Sequence, residues 1–322
     1  MSHRPLLRMM AAIGLLVANA PVTPAETPVT AMAVSSDGST LAVGRSGSVE
    51  LVQPDRSGSG ARLAVSLPKV NALAFHPDGK HLWIAGGVPG ESGAVLELLL
   101  PEGTESRRFP VPSDAVQSLA LSPDGRSLAH AAGSEVRRIE LADSRRAVSL
   151  TGHSGRVLGL AFSPDPTWLV SIGADRAVKV WSTSSNTLAR SFGHHTEAPN
   201  AIAFRPGAAV PTCATGGDDR TVRVWQPGIG RMVRIIRQHP GSILTLAYSA
   251  DGQTLFTAGS EGIVRAFDAD SDTLIRSWNA SKDWIYTIAV HPGGQWIATG
   301  DWSGGVEFWR NDGSMMHQAG ER

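Results

Sequence analysis

The sequence predicts an all-β chain: a seven-bladed β-propeller of four-stranded antiparallel blades. Three observations predict it. Gly and Pro number 35 and 20 among 322 residues, which breaks the chain into short elements and argues against long helices. A small, apolar six-residue phrase followed by a turn recurs seven times, starting at Val29, Val70, Val116, Val157, Pro199, Ile243 and Ile285. Its last residues are Val34, Phe75, Leu121, Phe162, Phe204, Tyr248 and Val290, spaced 41–46 residues apart. That period holds four short strands but no self-sufficient core, so successive sheets must cover one another's faces around an axis.

Residues 1–25 stand apart from the repeats. His3, Arg4 and Arg8 flank and precede ten apolar residues, Met9 to Ala18. This is the pattern of a secretory signal peptide, and the run is too short to span a bilayer comfortably. Thr23-Pro24-Ala25, ahead of Glu26, is the preferred cleavage site, because Pro21 directly after Ala18-Asn19-Ala20 obstructs the alternative. An uncleaved anchor is the competing reading. No Cys follows the apolar run to accept a lipid, and no later apolar stretch approaches 18 residues. The propeller is therefore assigned to residues 26–322, periplasmic or secreted, and free of the membrane after cleavage.

Blades one to three carry the opening phrase and the Asp-Gly turn, as in Asp37-Gly38, Asp78-Gly79 and Asp124-Gly125. Ser57–Gly60 reads as a surface turn of blade one, and Val88–Gly93 as a loop inserted in blade two. Blade four shows the unit most fully. Val157–Phe162 is an apolar inner strand, covered on both sides. Trp168–Gly173 and Ala177–Trp181 are the second and third strands, and the more polar Thr187–Phe192 is the outer one. Blade four contains Gly152-His153, Asp175 and Trp181; blade five repeats them as His195, Asp219 and Trp225. Blade six has His239, Glu261 and, in the tryptophan position, Phe267. Blade seven keeps Trp309 but has Ser281 and Ser303 where His and Asp would sit. After cleavage only residues 26–28 would precede the first strand, so the last blade is expected to supply its own outer strand from about Ser314–Gln318.

These motifs resemble the WD-repeat (WD40) propeller family over about residues 29–318. Asp175, His153 and Ser171 have the residue types of a nucleophilic triad, but the set recurs as Asp219, His195, Thr215 and as Glu261, His239, Thr257. An enzyme needs one active site, and three copies at blade period indicate structure. Trp181 can donate to Ser171, Ser171 to His153, and His153 to Asp175, leaving no buried polar group unpaired; Trp225 stands in the same place in blade five. The resemblance implies the same network. It also puts the His153 loop and the Asp175 turn at one end of the blade, the top.

Other chemistry is set aside on physical grounds. The net charge is zero, 29 basic against 29 acidic residues, which argues against nucleic-acid binding. Cys213 is the only cysteine, which excludes an intrachain disulfide, a Cys-rich zinc site, an iron–sulfur cluster and a c-type haem. His194 and His195 are adjacent on an extended segment and point to opposite sides, so no metal site is assigned there. His76 and His291 read as solvated residues of the turns. No phosphate-binding glycine motif occurs, and no catalytic residue or cofactor is assigned.

A protein or peptide partner on the top face is the expected ligand. One step into each first strand, Thr30, Asn71, Gln117, Leu158, Asn200, Leu244 and Tyr286 should ring the channel mouth. Trp284, Tyr286 and Trp302 should lie together at the top of blade seven, with Arg156 and Lys69 across the mouth. Exposed aromatics of this kind dominate interface energetics; packing on neighbouring loops is the competing role. The leading function is thus a periplasmic binding or scaffolding subunit, a monomeric propeller within a complex. The alternatives are an enzyme or small-ligand protein using the channel, which needs converging carboxylates, histidines or a metal, and a non-catalytic subunit of an exported redox complex.

Overall fold

The structure, a computed structural model, describes residues 27–54 and 60–319. The expected signal peptide and most of the Ser57–Gly60 turn lie outside the described residues. Twenty-eight strands form seven four-stranded antiparallel sheets, each made of four consecutive strands in sequential order. No α-helix occurs among the described residues, and no helix there is long and apolar enough to cross a membrane.

The inner strands are Ala31–Val34, Val70–Phe75, Val116–Leu121, Val157–Phe162, Pro199–Phe204, Ile243–Tyr248 and Ile285–Val290. Burial falls outward through each sheet: Trp168–Gly173 is buried almost throughout, whereas Thr187–Phe192 is mostly exposed. The apolar core lies between blades. Ala42, Val49 and Leu51 of blade one meet Val70, Leu82 and Leu96 of blade two. Val170, Ile172 and Val180 of blade four meet Cys213 and Trp225 of blade five.

The turn after each inner strand follows from its residues. In four blades a Ser donates to the Asp two residues on, at 2.6 Å in Ser35–Asp37, Ser122–Asp124, Ser163–Asp165 and Ser249–Asp251. The same hydroxyl accepts a backbone N–H five residues on, as from Ser127 at 2.9 Å. The following Gly125 has φ 69°, a left-handed conformation that costs Gly little. Longer residues at the Ser position reach the next blade instead. Arg205 Nε donates to Gly252 O at 2.6 Å, and His76 Nε2 lies 3.2 Å from Gly125 O.

Three local expectations change. The insertion in blade two is not a loop: it lengthens a hairpin of His81–Val88 and Ser92–Leu99, with Gly87 opposite Gly93 and Val88 opposite Ser92. The added residues keep pairing, so the ladder grows and only the tip turns. The third strand of blade four is Val178–Ser182, because the hydrogen bond from Gly173 N to Ala177 O spends Ala177 on closing the turn. His291 is buried rather than solvated. It packs on Trp296 at 5.1 Å, and its Nδ1 accepts from Gly293 N at 2.9 Å.

The ring closes at blade seven with the chain's own C-terminal strand, Met315–Gln318, paired to Val306–Trp309. Blade one joins it through Val29 N to Asp301 O at 3.0 Å and an apolar contact of Val29, Leu41 and Val43 with Ala298, Val306 and Phe308.

Candidate functional site

The sheet register identifies equivalent positions without reference to motif. Opposite the fourth residue of each six-residue phrase, the second strand presents Val43, Ile84, His130, Ser171, Thr215, Thr257 and Thr299. This slot is the hub of any buried relay. It is apolar in blades one and two and polar from blade three onward.

In blade four, Trp181 Nε1 donates to Ser171 Oγ at 2.8 Å. His153 Nε2 lies 2.8 Å from Ser171 Oγ, and His153 Nδ1 lies 2.9 Å from Asp175. Asp175 also accepts from Ser154 N at 3.0 Å, which joins the His loop to the Asp turn at the top. Burial holds the His153 imidazole below its ordinary range, against the pull of Asp175. A neutral ring with Nδ1–H toward Asp175 and Nε2 accepting from Ser171 satisfies every member. Blade five repeats this: Trp225 to Thr215 and His195 to Thr215, both 2.8 Å, and His195 to Asp219, 2.8 Å. Ser171, Thr215 and Thr257 are all 0% exposed, so none of these hydroxyls is open to solvent.

Blade six departs from expectation. His239 Nε2 lies 2.8 Å from Thr257 Oγ1, but Glu261 does not join the relay. Arg265, four residues along, takes the Glu261 carboxylate. His239 Nδ1 is left buried without a partner, and Phe267 brings no indole N–H. Burial, with Arg265 nearby, pushes the His239 pKa down to about 4. Blade seven keeps Trp309 Nε1 to Thr299 Oγ1 at 3.0 Å. Its acid is Asp301, which accepts from Ser281 Oγ at 2.6 Å, Ser303 Oγ at 2.9 Å and Gly305 N at 2.8 Å. Sequence reasoning missed Asp301. It stands two residues before the expected acid, where blades four to six have Gly173, Gly217 and Gly259, and that contrast was the available signal.

The seven rim positions all line one axial channel of about 280 Å3. None of the residues lining it is a carboxylate, histidine, lysine or arginine, and Tyr286 is its titratable side chain. Several polar rim groups are spent on stitching blades together. Thr30 Oγ1 donates to Val70 O, Asn71 Nδ2 to Val116 O at 2.9 Å, and Asn200 Nδ2 to Ile243 O at 3.2 Å and, within its own blade, to Asp218 at 2.7 Å. Gln117 lines the channel beside them.

The structure brings the three aromatics of blade seven together. Tyr286 sits between Trp284, at 6.3 Å between ring centroids, and Trp302, at 5.5 Å. A backbone hydrogen bond from Trp302 N to Trp284 O, 3.0 Å, fixes the two segments. Trp284 and Trp302 are 50% and 51% exposed. Burial, and then Asp283, raises the Tyr286 phenol above its usual range, so it remains a neutral O–H donor. Arg156 lies 3.9 Å from Asp114, between blades three and four, and Lys69 is exposed. Those two cations belong to other blades and make no contact with the aromatic group.

The family model "WD domain, G-beta repeat" matches residues 144–182, 186–226, 230–268 and 272–310. Among curated proteins, the chain is 34% identical over 149 residues to an uncharacterized WD repeat-containing protein of Synechocystis sp., covering 46% of this chain and 42% of that protein. It is 28% identical over 201 residues to transducin beta-like protein 3 of Bos taurus, covering 58% and 23%. It is 25% identical over 163 residues to the target of rapamycin complex subunit wat1 of Schizosaccharomyces pombe, covering 50% and 51%. The matched stretches thus span about half of these relatives or less. The model begins at residue 144 and so matches four blades, those with a hydroxyl in the relay slot, whereas the geometry repeats through all seven. With four matched repeats inside a closed seven-bladed ring, the chain belongs to the WD40 repeat family.

Proposed function

We propose that the protein is a non-catalytic, extracytoplasmic scaffold that holds a protein or peptide partner on its top face, through Trp284, Tyr286 and Trp302. WD-repeat propellers are typically protein-interaction scaffolds. One relative, wat1, is by its name a subunit of a complex. The observation that carries the reading is the pair of half-exposed indoles in consecutive ring contact with Tyr286 at the channel mouth. Large, rigid aromatics bury much apolar area for little lost side-chain entropy, and their N–H and O–H groups give direction to the contact. Arg156 and Lys69 are rim groups that steer a partner more than they hold it. Export is read from residues 1–25, and the protein is taken to act as a monomeric propeller within a larger complex.

The test compares the wild type with a Trp284→Ala, Trp302→Ala double variant, each expressed with residues 1–25 and recovered from the extracytoplasmic fraction. A specific partner captured by the wild type should be lost from the variant, while the melting temperature is nearly unchanged. Unfolding of the variant makes the indoles core residues and removes the interface. Retention of both proteins inside the cell removes the export reading alone.

A further inference from the structure

The turn after the inner strand of blade two differs in chemistry from its six siblings. It reads His76-Pro77-Asp78-Gly79, and His81 follows two residues later. Four siblings carry Ser at the His76 position, namely Ser35, Ser122, Ser163 and Ser249, and each donates its hydroxyl proton to the Asp of its own turn. His76 is bound differently. Its Nε2 faces Gly125 O of blade three at 3.2 Å, and a carbonyl only accepts, so Nε2 carries a proton. Asp78 N–H points at His76 Nδ1 from 3.3 Å, so Nδ1 presents a lone pair.

That lone pair lies 3.0 Å from Asp78 Oδ2. Two acceptors at this distance repel unless something positive sits between them. His81 Nδ1 lies 2.8 Å from the same oxygen. The other carboxylate oxygen, Oδ1, is already taken by Lys80 N at 2.8 Å. One ligand atom from each of the three side chains lies within 4.8 Å of the others. Blade seven supplies an internal contrast. His291 occupies the same turn position and accepts the same backbone N–H, from Gly293 at 2.9 Å, but Gly293 and Trp296 replace the Asp and the second His, so no ligand set forms there.

We propose that His76, Asp78 and His81 form a binding site for a divalent transition metal of the zinc class on the bottom face of blade two. Two imidazole nitrogens and one carboxylate oxygen select such ions over calcium or magnesium. Zinc–ligand bonds of about 2.0–2.1 Å require the Asp–His pairs to open by a few tenths of an ångström, within reach of side-chain rotation. The Gly125 carbonyl orients the His76 ring, as outer hydrogen bonds orient metal-bound histidines. Three protein ligands leave a fourth, outward position for water or for a donor atom of another molecule. All three side chains are partly exposed, so the ion exchanges freely with solvent.

The experiment uses the untagged full chain, stripped with chelator and titrated with Zn2+ by calorimetry near neutral pH, with Co2+ as the spectroscopic probe. One equivalent should bind, and Co2+ should give the visible absorption of a low-coordinate nitrogen–oxygen site. His81→Asn, and His76→Ser, which restores the residue of four sibling blades, should each weaken binding by roughly tenfold or more. His194→Asn should leave it intact. Melting curves in chelator show that the variants fold. Absence of saturable binding by the wild type overturns the proposal, as does binding that survives both substitutions. Stripped protein that binds no Zn2+ and holds His76 doubly protonated overturns it too, because a proton then stands where the metal was placed.

Discussion

At the scale of single residues, the relay slot shows how one position changes character around the ring. Val43 and Ile84 fill it with apolar volume, Ser171, Thr215 and Thr299 with a hydroxyl hub, and His130 with a ring whose Nδ1 is buried and unpaired. His130 and His239 are buried histidines whose Nδ1 finds no hydrogen-bond partner. Burial, with Arg137 beside it, pushes the His130 pKa down to about 4, matching His239. The sign of the consequence is fixed. Between about pH 6.5 and pH 4 the unfolded chain protonates these rings and the folded chain does not. Stability therefore falls as pH drops through that window and is unaffected by these groups above it. Each histidine contributes a loss of up to about 3 kcal/mol at the bottom of the window. Denaturant unfolding at pH 7 and pH 5 should show the loss. His130→Leu should shrink it and raise stability at neutral pH, since it matches the apolar residues of blades one and two. An unchanged pH dependence in that variant removes His130 from the account.

At the scale of the blade, the relay is a tie between strands, and its worth depends on how many groups it satisfies. Ser171 serves both Trp181 and His153, whereas Thr299 serves Trp309. Ser171→Ala strands a buried N–H and a ring nitrogen, a loss of about 2–4 kcal/mol, while the isosteric Thr299→Val strands one N–H, about 1–2 kcal/mol. Equal losses in chemical denaturation would show that packing, not partner count, sets the stability. The same physics explains what was legible in the sequence. Inner strands read clearly because both faces are covered, which forces the apolar run at Val157–Phe162 and its six counterparts. The relay of blade four was legible because Trp181, His153 and Asp175 are costly to bury unless paired, so their recurrence has few other causes. Blades six and seven were not, because Glu261 and Asp301 are ordinary acids whose partners only three dimensions reveal. Glu261 turns to Arg265, and Asp301 to Ser281 and Ser303. The pairing of His81 with Asp78 was hidden for the same reason: a turn residue and a strand residue share one oxygen only after the hairpin closes.

At the scale of the whole molecule, a ring has one place where it must be completed by non-consecutive strands, the seam between blades seven and one. Elsewhere neighbouring blades are also tied by the covalent chain. Here the junction rests on apolar contact, on Val29 N to Asp301 O, and on Arg45. Arg45 donates to Thr27 O at 2.6 Å and to Gly304 O at 2.9 Å, so one guanidinium holds the entering segment against the turn of the last blade. Charged donors to backbone carbonyls contribute about 1.5–3 kcal/mol each, and Arg45→Ala should destabilise the chain by about 2–4 kcal/mol after partial replacement by water. Its distinguishing mark is location. Hydrogen exchange should quicken first in Ala31–Val34 and Ile297–Asp301, because opening the seam exposes both blades without unfolding the other five. Arg205→Ala removes a guanidinium tie between blades five and six, to Gly252 O and to the Asp270 carboxylate, where the chain runs on through the junction. That variant should lose stability without selective exchange at either blade. If Arg45→Ala instead speeds exchange evenly around the ring, the seven blades share one cooperative unit and the closure is no weaker than any other junction.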